Sequence, residues 1–408
     1  MITGANKKTA LLICGKFNGN LDDGGTLSIL TTIKKLQARG VGTYHLEVVS
    51  PLSGEQTIAE YRMKAERWSD DHSTAIAGNN LSFTIMGIPA NVRFVPYDIF
   101  ALYRKPDNDA FDGLTSEIVN RLYETRPDIV ITTQEDIFSL WAASKADIPY
   151  FHIFSSAVFK YDDIFLKLYK NEFRESMAGA TIVAFNQVLA KEVSYVWGKE
   201  VIVLPAIIEF DSFVAKSKRP EYITFVNYHP HKGAVIFWHL VRKLRNEKFL
   251  LLDKHDLFKC EEGMNNIEVI KHESDMRKIY AVTKILLAPS LIEESYCRVI
   301  AEAMANGIPV IANRVEGIKD IWHRAAFLVD INLVDRGKAD YYTNFIYHID
   351  SYQRYIELIN ALGSDRKMYE EASARSLAEA EVVRKDQSDA LDNFARILSG
   401  AGDVHVNV

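Results

Sequence analysis

Residues 289–317 read PSLIEESYCRVIAEAMANGIPVIANRVEG, and the order of residue types in this stretch decides the architecture. It follows an aliphatic run, Ile285–Ala288, that has the character of a buried strand. Pro289 ends the run, and a loop carrying the acids Glu293 and Glu294 comes next. A helix is then expected from about Tyr296 to Asn306, with Gly307 as its C-cap and IPVIAN as the following strand. A helix that begins just past the carboxyl end of a strand aims unpaired N–H groups and partial positive charge beyond the sheet, which suits a phosphate. Glu302 follows Glu294 by eight residues. At 3.6 residues per turn that is about 2.2 turns, so both side chains can face one ligand if the first turn is tight. A carboxylate there is a good bidentate acceptor for a vicinal diol such as a ribose. Standing alone, an E-x7-E spacing reads more often as a helix with one solvent-exposed Glu.

The same alternation extends in both directions. Thr9–Cys14 reads as a strand and Thr26–Arg39 as a helix, with Leu27, Leu30, Ile33 and Leu36 at helical spacing and a stop at Gly40. Strands at Asp128–Thr133, Pro149–Phe154, Thr181–Phe185 and Val201–Leu204 continue the series, with a helix at Glu135–Lys145. Residues 206–220 (AIIEFDSFVAKSKRP) have little periodicity and read as a linker. Alternation restarts with strand Tyr222–Val226, helix Ala234–Leu244, strands Phe249–Leu252 and Ile267–Ile270, and helix Asp275–Thr283. Tyr341–Ser399 is helical in character. Strands alternating with helices give parallel sheets covered on both faces, so the expectation is α/β. Two doubly wound domains would place the carboxyl ends of their strands across a cleft, where open sheets bind ligands.

Composition excludes several classes. The 408 residues carry 48 Lys and Arg against 54 Asp and Glu, a net charge of −6, with 48% hydrophobic residues. That balance argues against a nucleic-acid-coating protein. No apolar run reaches the roughly 18 residues that span a bilayer. Lys7-Lys8 ahead of Ala10–Cys14 mimics a signal peptide, but the run is too short and ends in Gly15-Lys16. Cys14, Cys260 and Cys297 are far apart and outside any C-x-x-C pattern, which disfavours disulfides and structural zinc and fits a reducing cytoplasm.

The quoted stretch resembles the signature of retaining family-4 glycosyltransferases of the GT-B fold, which runs Pro-Ser, Glu-Gly-Phe-Gly, then Glu-Ala-Met-Ala-x-Gly-x-Pro-Val-Ile-Ala. This chain keeps Pro289-Ser290, Glu294, Glu302–Ala305, Gly307, Pro309–Ala312 and Gly317. The resemblance implies two Rossmann-like domains facing a cleft. Residues 1–205 would form the acceptor side, 206–220 the linker, 221–380 the nucleotide-sugar donor domain, and 381–400 a helix returning to the first domain. It also implies that Glu302 binds ribose hydroxyls and Glu294 touches donor-sugar hydroxyls. The amides near Tyr296–Arg298, with Val299 behind them, would face the diphosphate. Ser295 and Cys297 stand where the family has glycines.

A second match is TFVNYHPHKG, residues 224–233. The family places Gly-Arg and Lys-Gly here, with both cations gripping the leaving diphosphate. Lys232-Gly233 is kept, whereas Asn227-Tyr228 replaces Gly-Arg. Lys232 then supplies one cation, and His229 and Arg298 are candidates for the second. His229 and His231 read otherwise as an exposed loop pair. Gly24-Gly25, in the loop GKFNGNLDDGG of residues 15–25, fit a family glycine pair that needs φ > 0 for close approach to the donor phosphate. Asp23 and Asp22 before them would bond an acceptor hydroxyl or cap the helix. The family often carries a catalytic His near position 155. His152 is either its shifted equivalent or a core histidine. Asp70-Asp71-His72 invites a metal reading, although a polar surface loop explains it as well.

The expected activity is transfer of a sugar from a nucleoside-diphosphate donor, a UDP- or GDP-sugar for example, to a saccharide, lipid-linked or small-molecule acceptor with retention of configuration. No metal or other cofactor is expected, and no nucleic acid. Phe165–Arg174 mixes aromatics with cations and leaves peripheral membrane contact open beside a solvated amphipathic helix; a homodimer is also left open. The competing readings are a nucleotide-sugar 2-epimerase and a non-catalytic nucleotide-binding partner subunit.

Overall fold

A computed structural model of the chain describes residues 9–14, 24–51, 62–63, 65–66, 69–71, 73–77, 80–96, 102, 107–133, 136–155, 169–254, 256–261, 263–271, 273–331, 333–335, 346–347 and 351–400. The chain divides into two compact units, Met1–Ile207 with Asp389–Val408, and Ile208–Ser388.

The first unit is built on a nine-stranded sheet. Its strands are β1 (Thr9–Cys14), β2 (Thr43–Pro51), β3 (Ala75–Ala77), β4 (Asn80–Ile85), β5 (Ile88–Val95), β6 (Ile129–Thr133), β7 (Tyr150–Phe154), β8 (Thr181–Ala184) and β9 (Val201–Val203). The order is β3-β4-β5-β2-β1-β6-β7-β8-β9. From β5 to β9 every pairing is parallel. The helices are α1 (Gly24–Ala38), α2 (Asn108–Thr125), α3 (Ile137–Lys145), α4 (Lys170–Gly179) and α5 (Gln187–Trp197). Three of the starts follow side-chain caps: Asp107, Asp136 and Asn186 accept a first-turn N–H of α2, α3 and α5 in turn.

One edge departs from the expected all-parallel order. β3, β4 and β5 pair antiparallel, and NLSFTI in β4 alternates exposed with buried, the period of a half-solvated strand. Met86 and Gly87 join β4 to β5 with φ of 54° and 76°, the positive-φ pair that a two-residue hairpin demands. Asp70 fixes this turn by accepting the N–H groups of Met86 at 2.7 Å and Gly87 at 2.8 Å. Its carboxylate therefore has a structural use; His72 lies outside the described residues.

The second unit has a six-stranded, wholly parallel sheet. Its strands are β10 (Tyr222–Val226), β11 (Phe249–Leu252), β12 (Ile267–Ile270), β13 (Thr283–Ala288), β14 (Val310–Asn313) and β15 (Phe327–Val329), in the order β12-β11-β10-β13-β14-β15. β16 (Leu333–Asp335) and β17 (Ile346–Tyr347) form a separate antiparallel pair. The helices are α6 (Ala234–Lys243), α7 (Met276–Val282), α8 (Arg298–Ala305), α9 (Ile318–Trp322), α10 (Ser351–Ser364) and α11 (Arg366–Ser399). Phe225, Phe237, Phe249 and Tyr355 are fully buried and anchor the core of this unit.

The segment expected to be a linker, 206–220, joins the second unit from Ile208 onward. Ile208, Phe210 and Ala215 are buried. Asn306, just past α8, accepts from the Ala215 N–H at 2.9 Å and donates to Phe213 O at 3.0 Å, while Lys218 Nζ caps the Asn306 carbonyl at 2.7 Å. Burial and these bonds give the segment its shape without any helical or strand period. Helix α11 runs unbroken past residue 388, and from Asp389 its residues belong to the first unit. There Phe394 meets Phe151 edge-on at 5.8 Å, and Asp392 pairs with Arg39 at 2.6 Å.

Candidate functional site

The strand β10 ends at Val226, and Asn227 follows with φ of 68°. Asparagine tolerates this left-handed backbone better than most side chains, which explains how it occupies a glycine's place. Tyr228 next to it is no substitute for a cation. Its ring lies among Phe225, Phe237 and Phe258, and burial, then Asp253, push its hydroxyl up to about 12. The chain then makes a 3-10 turn, Pro230–Lys232, in which the rings of His229 and His231 lie 4.0 Å apart.

Gly233 closes that turn with φ of 86°, and a β-carbon there would fall 2.0 Å from Pro289 O. The backbone of the Lys232 turn is thus pressed onto the Pro289 loop, and Leu291 N donates to His231 O at 2.9 Å. Asn313, at the end of β14, donates to Pro289 O at 2.8 Å and Ser290 O at 3.0 Å, and accepts from Tyr355 OH at 2.7 Å. The result is a fixed frame for three side chains. Lys232 Nζ lies 2.5 Å from Glu294 Oε1, and Ser290 Oγ donates to the same oxygen at 2.7 Å. Burial pulls the Lys232 ammonium down, but Glu294 outweighs it and leaves the lysine above its ordinary value.

A second cluster is built on α8 and α7. Glu302 on α8 is buried, accepts from Tyr280 OH of α7 at 2.7 Å, and faces Arg298 Nε at 3.6 Å. Burial raises the Glu302 carboxyl, partly offset by Arg298 and Tyr280. Cys297 stands between the clusters as N-cap of α8 with φ of 58°. Burial and Glu294 push its thiol well above the ordinary range, so it is held neutral. Its left-handed backbone is what a glycine would adopt with least strain. Tyr296 is buried against Trp322, and its hydroxyl accepts from Gln387 Nε2 at 2.7 Å. Ser295 and Val299 are half-buried around the first turn of α8.

The structure thus brings together Lys232, Glu294, Ser295, Tyr296, Cys297, Arg298, Val299 and Glu302, with Asn227 and His229 on the loop before Lys232. His152 lies in the interior of the first unit on strand β7, between β6 and β8, fully buried, with Nδ1 2.9 Å from Thr132 Oγ1 and its ring edge-on to Phe154 at 4.8 Å. Full burial beside Thr132, Phe154 and Phe173 fits the core alternative of the two readings. Gly24 and Gly25 are the first two residues of α1. Asp22 and Asp23 lie outside the described residues. Sequence reasoning missed Tyr280, Asn313 and Gln387. Only a polar side chain in an otherwise apolar pattern marked the first two.

Residues 220–339 match the family model described as glycosyl transferases group 1. No curated protein matches the chain. Among solved structures, a glycosyltransferase from Rickettsia africae ESF-5 is 14% identical with TM-score 0.64, over 97% of this chain and 99% of that one. Anabaena Alr3699/HepE in complex with UDP is 15% identical with TM-score 0.66, over 96% and 100%. Sucrose-phosphate synthase from Thermosynechococcus elongatus is 13% identical with TM-score 0.66, over 97% and 100%. The fold is GT-B.

Proposed function

We propose that this chain is a nucleotide-sugar-dependent glycosyltransferase that retains the configuration of the transferred sugar. The observation that carries the reading is the pairing of Lys232 with Glu294 beside the amino end of α8, within the segment that matches the glycosyltransferase family model. A departing nucleoside diphosphate gathers negative charge in the transition state, and a preorganised ammonium with helix-end N–H groups stabilises that charge. Lys232 supplies the ammonium, and the Arg298 guanidinium, on the first residue of α8, supplies the second cation. Glu302 accepts ribose hydroxyls, and Glu294 holds Lys232 while facing hydroxyls of the donor sugar.

Retention follows from front-face attack. The bond from the anomeric carbon to the phosphate oxygen breaks as the acceptor oxygen bonds to the same face. The acceptor proton passes to the departing phosphate oxygen. Neither Glu294 nor Glu302 is offered as a nucleophile, since Lys232 and Ser290 engage the first and Tyr280 engages the second. The work of the protein is then positioning and charge stabilisation.

The test is a thermal-shift screen across UDP-, GDP-, ADP- and TDP-sugars, since ligand binding to the native state raises Tm. A rise with one donor, followed by acceptor-dependent release of its nucleoside diphosphate and a product of unchanged anomeric configuration, is the expected result. No rise with any donor would overturn the reading.

A further inference from the structure

We infer that Tyr280 is a positioning residue: its hydroxyl holds the Glu302 carboxylate in the orientation that accepts both hydroxyls of a ribose. This rests on the donor-binding role proposed above for Glu302 and adds to it a residue on a different helix.

Tyr280 is 1% exposed and Glu302 is 6% exposed, and the phenol donates to Oε2 at 2.7 Å. A buried tyrosine hydroxyl requires a partner, and a buried carboxylate requires donors. Each supplies the other, yet such a pair adds little net stability compared with apolar residues of the same size. A purely structural contact between α7 and α8 would be as well made by Phe and Leu. What the pair does provide is direction. The terminal torsion of a glutamate is broad, so an unrestrained carboxylate samples many orientations.

The groups facing Glu302 are Tyr280 from α7 and, from its own helix and its cap, Arg298 and Cys297. An ionised carboxylate offers about four lone-pair sites. Tyr280 takes one on Oε2, and Arg298 Nε, 3.6 Å from Oε1, is an ion-pair neighbour beyond close hydrogen-bond reach. Among the described residues this leaves one acceptor site on Oε2 and at least one on Oε1, in a plane that Tyr280 fixes. Two coplanar acceptors are the complement of a vicinal diol.

The experiment compares binding of UDP, GDP and ADP with their 2′-deoxy counterparts by calorimetry, in the full chain and in Tyr280→Phe. The unaltered chain is expected to prefer the ribonucleotide about tenfold or more, and Tyr280→Phe to shrink that preference to about threefold or less, as losing a hydrogen bond to a charged group implies. A merely structural role would lower Tm and leave the ribose-to-deoxyribose ratio unchanged, and that outcome overturns the inference. If the unaltered chain binds none of the three diphosphates, the donor-binding reading itself fails. If it binds them without preferring ribose, the assigned role of Glu302 fails. Should Tyr280→Phe not fold, p-aminophenylalanine at position 280 keeps the shape with a weaker donor. An intermediate ratio is then expected, and an unchanged ratio again overturns the inference.

Discussion

Gly317 lies against the main chain of Glu294 so closely that a β-carbon on it would fall 1.5 Å from the glutamate carbonyl oxygen. Its φ is 81°, and the Glu294 N–H donates to Glu316 O at 3.1 Å. With Gly233 against Pro289, this makes two places where loops meet backbone to backbone. The two contacts determine where Glu294 and Lys232 stand, and an ammonium and a carboxylate from distant loops meet without either side chain having to search.

Replacing Gly317 by alanine should therefore be severe. Positive φ adds roughly 1–2 kcal/mol and the steric overlap roughly 1–3 kcal/mol more. Gly87→Ala is the control, because its φ is 76° but nothing lies within 4 Å of its added β-carbon. Differential scanning calorimetry is expected to show a fall in Tm at least twice as large for Gly317→Ala. Equal falls would refute the close-contact argument.

Lys232→Ala is expected to lower kcat/KM by roughly 10²-fold or more, the scale of a lost transition-state contact. Steady-state kinetics with whichever donor the thermal screen identifies provide the check. Turnover near that of the unaltered enzyme would remove Lys232 from the leaving-group site.

Glu302 trades stability for its role. Burial raises its carboxyl above the unfolded value. The folded state therefore holds the proton more tightly, and stability present at low pH is lost as pH rises through the folded value. Glu302→Gln should consequently be at least as stable as the unaltered chain at pH 8, with the difference shrinking toward pH 5. Melting curves at both pH values test this, and a variant clearly less stable at pH 8 would contradict it.

Cys297 should alkylate slowly. Its thiol is pushed well up by burial and Glu294 and is kept neutral, whereas Cys260 is exposed. Peptide mass spectrometry after brief iodoacetamide treatment at pH 8 is expected to find Cys260 modified first. The reverse order would mean that the field around Cys297 is misread. Cys297→Gly, which suits the left-handed backbone, is expected to hold Tm or raise it.

Much of this was legible in the residues themselves. The buried parallel strands announced themselves as short aliphatic runs, and the loop between β13 and α8 carried a spacing tied to a chemistry. The hairpin β4–β5 was missed because Met86 is an unusual residue for a positive-φ turn, and only Gly87 hinted at it. Tyr280 was missed because its contact with Glu302 depends on how α7 packs beside α8, which no periodicity encodes. The two readings of His152 stayed open because a strand's end is hard to place from composition. Two residues' difference decides whether a histidine sits at the rim of a sheet or in its middle.

The membership of residues 389–400 in the first unit bears on how the protein is made. Phe151 and the Phe394 ring that packs on it are separated by the whole of the second unit in the order of synthesis. At about 5–20 residues per second, the ribosome delivers Phe394 roughly 10 to 50 seconds after Phe151. For that interval the nascent first unit lacks part of its core and exposes apolar surface. The last of its core is therefore supplied after the second unit has been made, although its strands come first.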